Sequence, residues 1–170
     1  MIEPQPHVIV IFSLSALVAV ICQFAGGRLA SAGLTLFFSF VTVLWGQLVL
    51  GLVAPSLTVL TALCDMVSLG VIGWALIKAQ HRTGLHVAGF AMCVSLMSHI
   101  AYHVAGIGQN ATLAYFLVTN TAMVIACLGL FVSGTGQMVA KYGLGHSGHS
   151  NSTDGASWAR GVASRREGLD

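Results

Sequence analysis

Five apolar runs, each near the ~20 residues a helix needs to cross ~30 Å of hydrocarbon, constrain this chain more than any other feature. They are Val8 to Ala25, Leu34 to Ala54, Leu57 to Ile77, Leu85 to Val104 and Thr112 to Phe131. Of the 170 residues, 56% are hydrophobic and only 7% are charged, whereas soluble domains carry about 25% charged residues. Such a chain lacks the polar side chains to cover a water-facing surface, so most of its surface must face lipid. The expected fold is an all-α membrane protein. Residues 1–140 form a bundle of five transmembrane helices, and residues 141–170 form a flexible basic tail.

Short segments of turn-forming or polar residues separate the runs: Gly26-Gly27-Arg28, Pro55-Ser56, Lys78 to Gly84 and Gly106 to Asn110. Pro55 suits the first turn of a helix, where its missing N–H does no harm, and so predicts a tight hairpin between the second and third spans. The first run is read as a retained span. Ala30-Ser31-Ala32 resembles a cleavage site, but the chain opens Met1-Ile2-Glu3-Pro4, without the positive n-region of a secretory signal.

Lys and Arg are retained on the cytoplasmic side of a membrane. Arg28 follows the first run, Lys78 and Arg82 follow the third, and Lys141, Arg160, Arg165 and Arg166 follow the fifth. With five spans and the N-terminus outside, all seven basic residues fall on one side. A four-span arrangement would put some of them on the wrong face. The C-terminus is therefore expected in the cytoplasm. Gly145 to Ser157, rich in Gly, Ser, Asn and His, buries too little apolar area to fold. Beyond it, Trp158, Val162, Arg165 and Arg166 have the spacing of a short interfacial helix. His146 and His149, in so flexible a stretch, make a weak ligand pair.

Asp65 is the one acidic or basic side chain inside a span. A charge at the bilayer centre costs at least ~2.5–3.5 kcal/mol on insertion scales, so it must be protonated or face a partner inside the bundle. Thr58, Thr61, Asp65 and Ser68 recur at helical spacing and form one polar stripe. Ser95, His99, Tyr102 and His103 form a matching stripe on the next span. At ~1.5 Å per residue, Asp65 lies ~12 Å below the outer end of its span and His99 ~8 Å below the outer end of its own. The spacing thus predicts an Asp65–His99 hydrogen-bonded pair, serving either as glue between two helices or as a proton or ion site.

His99 and His103 also form H-x-x-x-H, which could chelate a metal with Asp65 as a third ligand, three or four being needed. His86 and His99, thirteen residues apart, invite a haem reading, with His7 as a distant further ligand. Gln23, Gln47, Thr119 and Asn120 are expected to hydrogen-bond across helices. Ala122, Ala126, Gly129 and Ser133 make a small-residue seam on the last span, suited to packing within one chain or between copies. The cysteines, Cys22, Cys64, Cys93 and Cys127, all lie in apolar runs without a C-x-x-C pair and read as small buried hydrophobes.

No nucleophile constellation, phosphate-cradling loop or carboxylate pair is present, and Gly134-Thr135-Gly136 reads as a helix terminator. Neither an enzyme nor a cofactor is expected. No basic stretch interleaved with aromatics points to nucleic acid. The partners expected are the lipid bilayer and, through the seam, a homo-oligomer.

Asp65, the basic loop from Lys78 to Arg82, Ala88-Gly89-Phe90 and His99 together resemble a pattern in small multi-span membrane proteins of alphaproteobacteria and their phages. The resemblance covers about a third of the chain, and Gly84-Leu85-His86 stands where those proteins carry tryptophans. It implies a bacterial or phage-infected host's inner membrane. The leading functional expectation is a small non-enzymatic membrane protein that acts by assembly in the bilayer, as holins do. The alternative is a proton- or ion-coupled transporter, or a subunit of one, built on Asp65 and His99. A metal- or haem-binding membrane protein stands third.

Overall fold

The computed structural model describes residues 6–52, 56–77, 82–105 and 109–143. They form five helices: α1 (Pro6–Ala25), α2 (Gly27–Leu48), α3 (Ser56–Leu76), α4 (Arg82–Ala105) and α5 (Gln109–Gly143). No strand occurs among the described residues. All five helices are long and apolar enough to cross a membrane. Pro55, the 78–81 segment with Lys78, and the tail beyond Gly143 with His146 and His149 lie outside the described residues.

The distribution of side chains is the reverse of a water-soluble bundle. Val104 is 82% exposed, Phe90 73% and Leu113 72%, while Ser15, Ser39, Thr58, Asp65, Ser68, Ser95, His99 and Ser133 are buried. Helices that are apolar on nearly every face have no polar side to offer water. The few polar groups turn inward, where neighbours satisfy them. Among the described residues every buried side-chain nitrogen and oxygen has a hydrogen-bond partner, as burial of a polar group demands.

Glycine sets the first turn. Gly26 and Gly27 take φ of 81° and 59°, a left-handed region that side chains with a Cβ avoid. The chain therefore reverses at Gly26, and α2 starts at once. Hydropathy alone places this span at Leu34 to Ala54, but α2 covers Gly27–Leu48. Arg28, in the first turn of α2, packs against α3. Its guanidinium lies 4.4 Å from the Trp74 ring centroid and donates to the Trp74 carbonyl at 3.1 Å. The early stop comes at Gly51, with φ 62°, where the Leu52 N–H bonds back to the Gly46 carbonyl at 3.0 Å.

The last span is corrected too. Gly134-Thr135-Gly136 does not end the helix; α5 runs 35 residues to Gly143. Thr135 bonds its own helix, donating to the Phe131 carbonyl at 2.9 Å. Gly134 is small for packing rather than for termination: a Cβ there would sit 2.9 Å from Ile21 Cγ2 of α1. At ~1.5 Å per residue α5 is ~52 Å long, well beyond the ~30 Å of a hydrocarbon layer.

Successive helices pack as antiparallel neighbours. Gly33 of α2 meets Cys22 of α1, and Gly46 of α2 meets Leu60 of α3. Ile72 of α3 faces Gly89 of α4, and Gly84 of α4 meets Gly129 and Ser133 of α5. Cys22 Sγ then lies 3.9 Å from the Leu130 carbonyl of α5, which brings the last helix back to the first. These contacts lie within one compact unit, Met1–Gln137; a second unit begins at Met138. In the described part of that second unit, the Lys141 ammonium stands 5.3 Å from the Tyr142 ring centroid.

Candidate functional site

Asp65 faces inward because α3 repeats its packing every two turns. Thr58, Asp65 and Ile72 are seven residues apart and all buried against α4. On α4 the donors come one turn apart, at Ser95 and His99. Ser95 Oγ donates to Asp65 Oδ2 at 2.5 Å, and His99 Nε2 lies 3.1 Å from the same oxygen. The other His99 ring nitrogen, Nδ1, is 2.8 Å from the Tyr115 hydroxyl on α5. Asp65 is 3% exposed, Ser95 4%, His99 1% and Tyr115 7%. One carboxylate, one imidazole and one phenol thus form a chain across three helices.

Hydrogen-bond roles follow from the carboxylate. Ionised Asp65 only accepts, so His99 Nε2 carries a proton and donates. In the neutral ring Nδ1 is then an acceptor, and Tyr115 O–H donates to it. Every donor along the chain points toward Asp65. A second proton on the ring reverses the last link: Nδ1–H donates to the Tyr115 oxygen, and Asp65 with imidazolium forms an ion pair. The cluster therefore has two charge states that differ by one proton and by one reversed hydrogen bond.

Further polar residues surround this core. Tyr102 is buried with its ring 4.6 Å from that of Tyr115, and its hydroxyl is 3.4 Å from Thr112 Oγ1. His103 is exposed in the last turn of α4, and its Nε2 is 3.0 Å from Thr58 Oγ1. One turn further along α3 from Asp65, the Ser68 and Ser39 hydroxyls lie 2.9 Å apart, tying in α2. Thr61, the fourth member of the α3 stripe, instead donates to the Leu57 carbonyl of its own helix at 2.8 Å.

The structure brings together Asp65, Ser95 and His99, sets Tyr102 beside them through Tyr115, and directs His103 to Thr58. Among the described residues no group of three His, Cys, Asp or Glu side chains could hold a metal ion. Both His99 nitrogens are already engaged. The two histidines of the haem reading do not share a helix face. Thirteen residues turn a helix by ~220° net, which puts His86 and His99 on opposite faces; His86 is exposed and His99 buried. The His7 side chain lies outside the described residues. Of the residues expected to bond across helices, Gln23 does so, donating to the Ala30 carbonyl at 3.4 Å. Thr119 turns back on its own helix, to the Tyr115 carbonyl at 3.0 Å.

Tyr115 is the member that stripe analysis of α3 and α4 does not find. It reads as one more aromatic in an apolar run. Depth would have revealed it. Tyr115 is six residues from the start of α5 and His99 six from the end of α4, so in antiparallel helices both sit ~9 Å in.

The seam of Ala122, Ala126, Gly129 and Ser133 is buried within the chain. A Cβ on Gly129 would overlap the Gly84 carbonyl and stand 2.9 Å from the Ala88 nitrogen. These small residues let the α4 and α5 backbones touch.

Fold and site together define an all-helical bundle, apolar outside, with a hydrogen-bonded Asp–His–Tyr cluster at its centre. The chain matches no protein-family model, no curated protein and no solved structure.

Proposed function

We propose that this chain is a five-span protein of a bacterial inner membrane that takes up and releases a proton at Asp65, His99 and Tyr115. It would act as a proton-coupled transporter or as the proton-handling subunit of one. In this reading the N-terminus is outside and the tail is cytoplasmic, as the segregation of the basic residues supports. The observation that carries the proposal is His99, which is 1% exposed and has one nitrogen 3.1 Å from a carboxylate and the other 2.8 Å from a phenol. Gluing two helices takes one such bond; a relay takes both. Ionisable side chains inside spans are costly and mark ion pathways and proton relays.

The ion is a proton rather than a metal cation. Asp65 Oδ2 is met by an O–H and an imidazole nitrogen, and hard cations need several oxygen ligands. The reading involves no enzymatic step and no cofactor. The leading expectation, holin-like assembly, drew on the small-residue seam; Gly129 and Ser133 of that seam meet Gly84 and Ala88 of the same chain, which favours the proton alternative.

Proton uptake by protein in lipid nanodiscs, followed with a pH-sensitive dye across an acid titration, tests the proposal. Wild-type protein should take up a proton that Asp65→Asn and His99→Ala do not. Identical uptake by all three proteins would sink the idea. Abrupt loss of membrane potential on expression, unaffected by either substitution, would favour assembly instead.

A further inference from the structure

Among the described residues, the cluster lies nearer one end of the bundle than the other. From the α4 C-terminal end the way in is short. His103 is exposed in the last turn, and His99 lies one turn further, ~6 Å along the axis. Polar groups fill that turn. Thr58 Oγ1 meets His103 Nε2 at 3.0 Å, the Tyr102 ring stands 6.1 Å from that of His103, and Tyr102 packs on Tyr115, whose hydroxyl reaches His99. From the other end the distance is about four times greater. His99 is seventeen residues from Arg82, ~25 Å at ~1.5 Å per residue. That half is packed chiefly with Met92, Leu85, Ala88, Ile72, Cys127 and Leu130, each no more than 1% exposed, and its nearest polar groups are the paired Ser68 and Ser39 hydroxyls. Below them the α4 and α5 backbones meet at Gly84 and Gly129.

We infer that, in this conformation, protons enter the Asp65–His99 pair solely from the α4 C-terminal end, with His103 as the entry group. On the proposed topology this is the non-cytoplasmic face. The inference rests on the proton-binding reading above and adds its sidedness. The titratable groups that face the path are Asp65 on α3, Tyr102 and His103 on α4, and Tyr115 on α5. Cys64 on α3 and the Ser39 hydroxyl of α2 line the α2–α3 groove instead. An imidazole suits the entry position because one ring nitrogen can accept a proton while the other gives one up.

The test uses full-length protein in sealed vesicles, selected through the C-terminal tail so that all tails face one way. The infrared carboxyl band that is absent in Asp65→Asn reports on the cluster while pH is stepped on one side at a time. The band should follow pH on the side opposite the tail and ignore the tail side. His103→Ala should slow the response about a hundredfold, the lower end of what a positioned proton-transfer group contributes. His103→Gln can keep the bond to Thr58 but cannot titrate, so it should be equally slow; recovery by Gln would make His103 a structural residue and overturn its role. A band that follows the tail-side pH, or both sides equally, would overturn the inference while leaving proton binding intact. If no Asp65-dependent band responds on either side, the proton-binding reading itself fails.

Discussion

Gly84→Ala puts a methyl group where α4 touches α5. The new Cβ would overlap the Gly129 carbonyl and stand 2.6 Å from Ser133 Oγ and 3.1 Å from Ser133 N. The serine hydroxyl can rotate away. The carbonyl and the amide belong to the α5 backbone and can yield only if the two helices separate. Gly70→Ala on α3 is the matched control, since a Cβ there meets nothing within 4 Å. Both substitutions replace a helical glycine by alanine and gain the same ~1 kcal/mol of helix propensity. That gain cancels in the difference, which isolates the cost of overpacking. It should be about 1–3 kcal/mol against Gly84→Ala, near the upper limit because backbone obstructs it. Denaturant titration in detergent, followed by circular dichroism, measures both variants. Gly129→Ala should behave like Gly84→Ala. The double variant should cost less than the sum, because one separation of the helices accommodates both methyl groups. Equal stability of Gly84→Ala and Gly70→Ala would refute the close approach. A change in oligomeric state without loss of monomer stability would place the seam between copies.

Three other substitutions probe the site and its frame. Ser95→Ala leaves His99 as the remaining α4 partner of Asp65 Oδ2 and should cost about 1.5–3 kcal/mol, the worth of a hydrogen bond to a charged group; an unchanged denaturation midpoint would mean the bond is not made. Tyr115→Phe keeps the ring beside Tyr102 but removes the hydroxyl on His99, so stability should fall by only about 0.5–1.5 kcal/mol while proton uptake measured by dye slows severalfold. Arg28→Lys keeps the charge but loses the planar group over Trp74, costing about 0.5–1 kcal/mol and shifting tryptophan emission; identical spectra would count against the contact.

The helices and the core of the site could be read from the sequence because both depend on local periodicity. A span announces itself by length and apolarity, and Asp65 and His99 announce themselves as polar residues repeating at helical spacing within such spans. What could not be read depends on neighbours distant in the chain. Arg28 looks like an interhelical charge until Trp74, forty-six residues later, is found beneath it. Gly134 looks like a terminator until Ile21 is found against it. Tyr115 looks like another lipid-facing aromatic until α5 turns it onto His99. Glycine and tyrosine are ambiguous in the same way. One can break a helix or let two helices touch, and the other can fill apolar volume or supply a hydroxyl.

Helix α4 carries both the tight contact and the hydrogen-bonded cluster. Its first half presents Gly84, Leu85, Ala88, Ala91 and Met92 to the interior, and its second half presents Ser95, His99 and Tyr102. The first half permits backbone contact with α5 at Gly84 and Gly129. The second half holds the hydrogen-bonded cluster. A proton added to His99 reverses its bond to Tyr115, the link between α4 and α5 in this half. The glycine contact is unaffected by that charge, since it involves no ionisable group. On the proposed reading, protonation would shift α4 against α5 at the polar end, about a pivot at Gly84 and Gly129. Loosening the pivot with Gly84→Ala should then weaken the coupling between protonation and helix position even where Asp65 and His99 still bind the proton. A spin-label distance between the α4 and α5 polar ends, measured against pH, would read this directly. An unchanged pH response in Gly84→Ala would show that the seam packs the bundle without serving as its hinge.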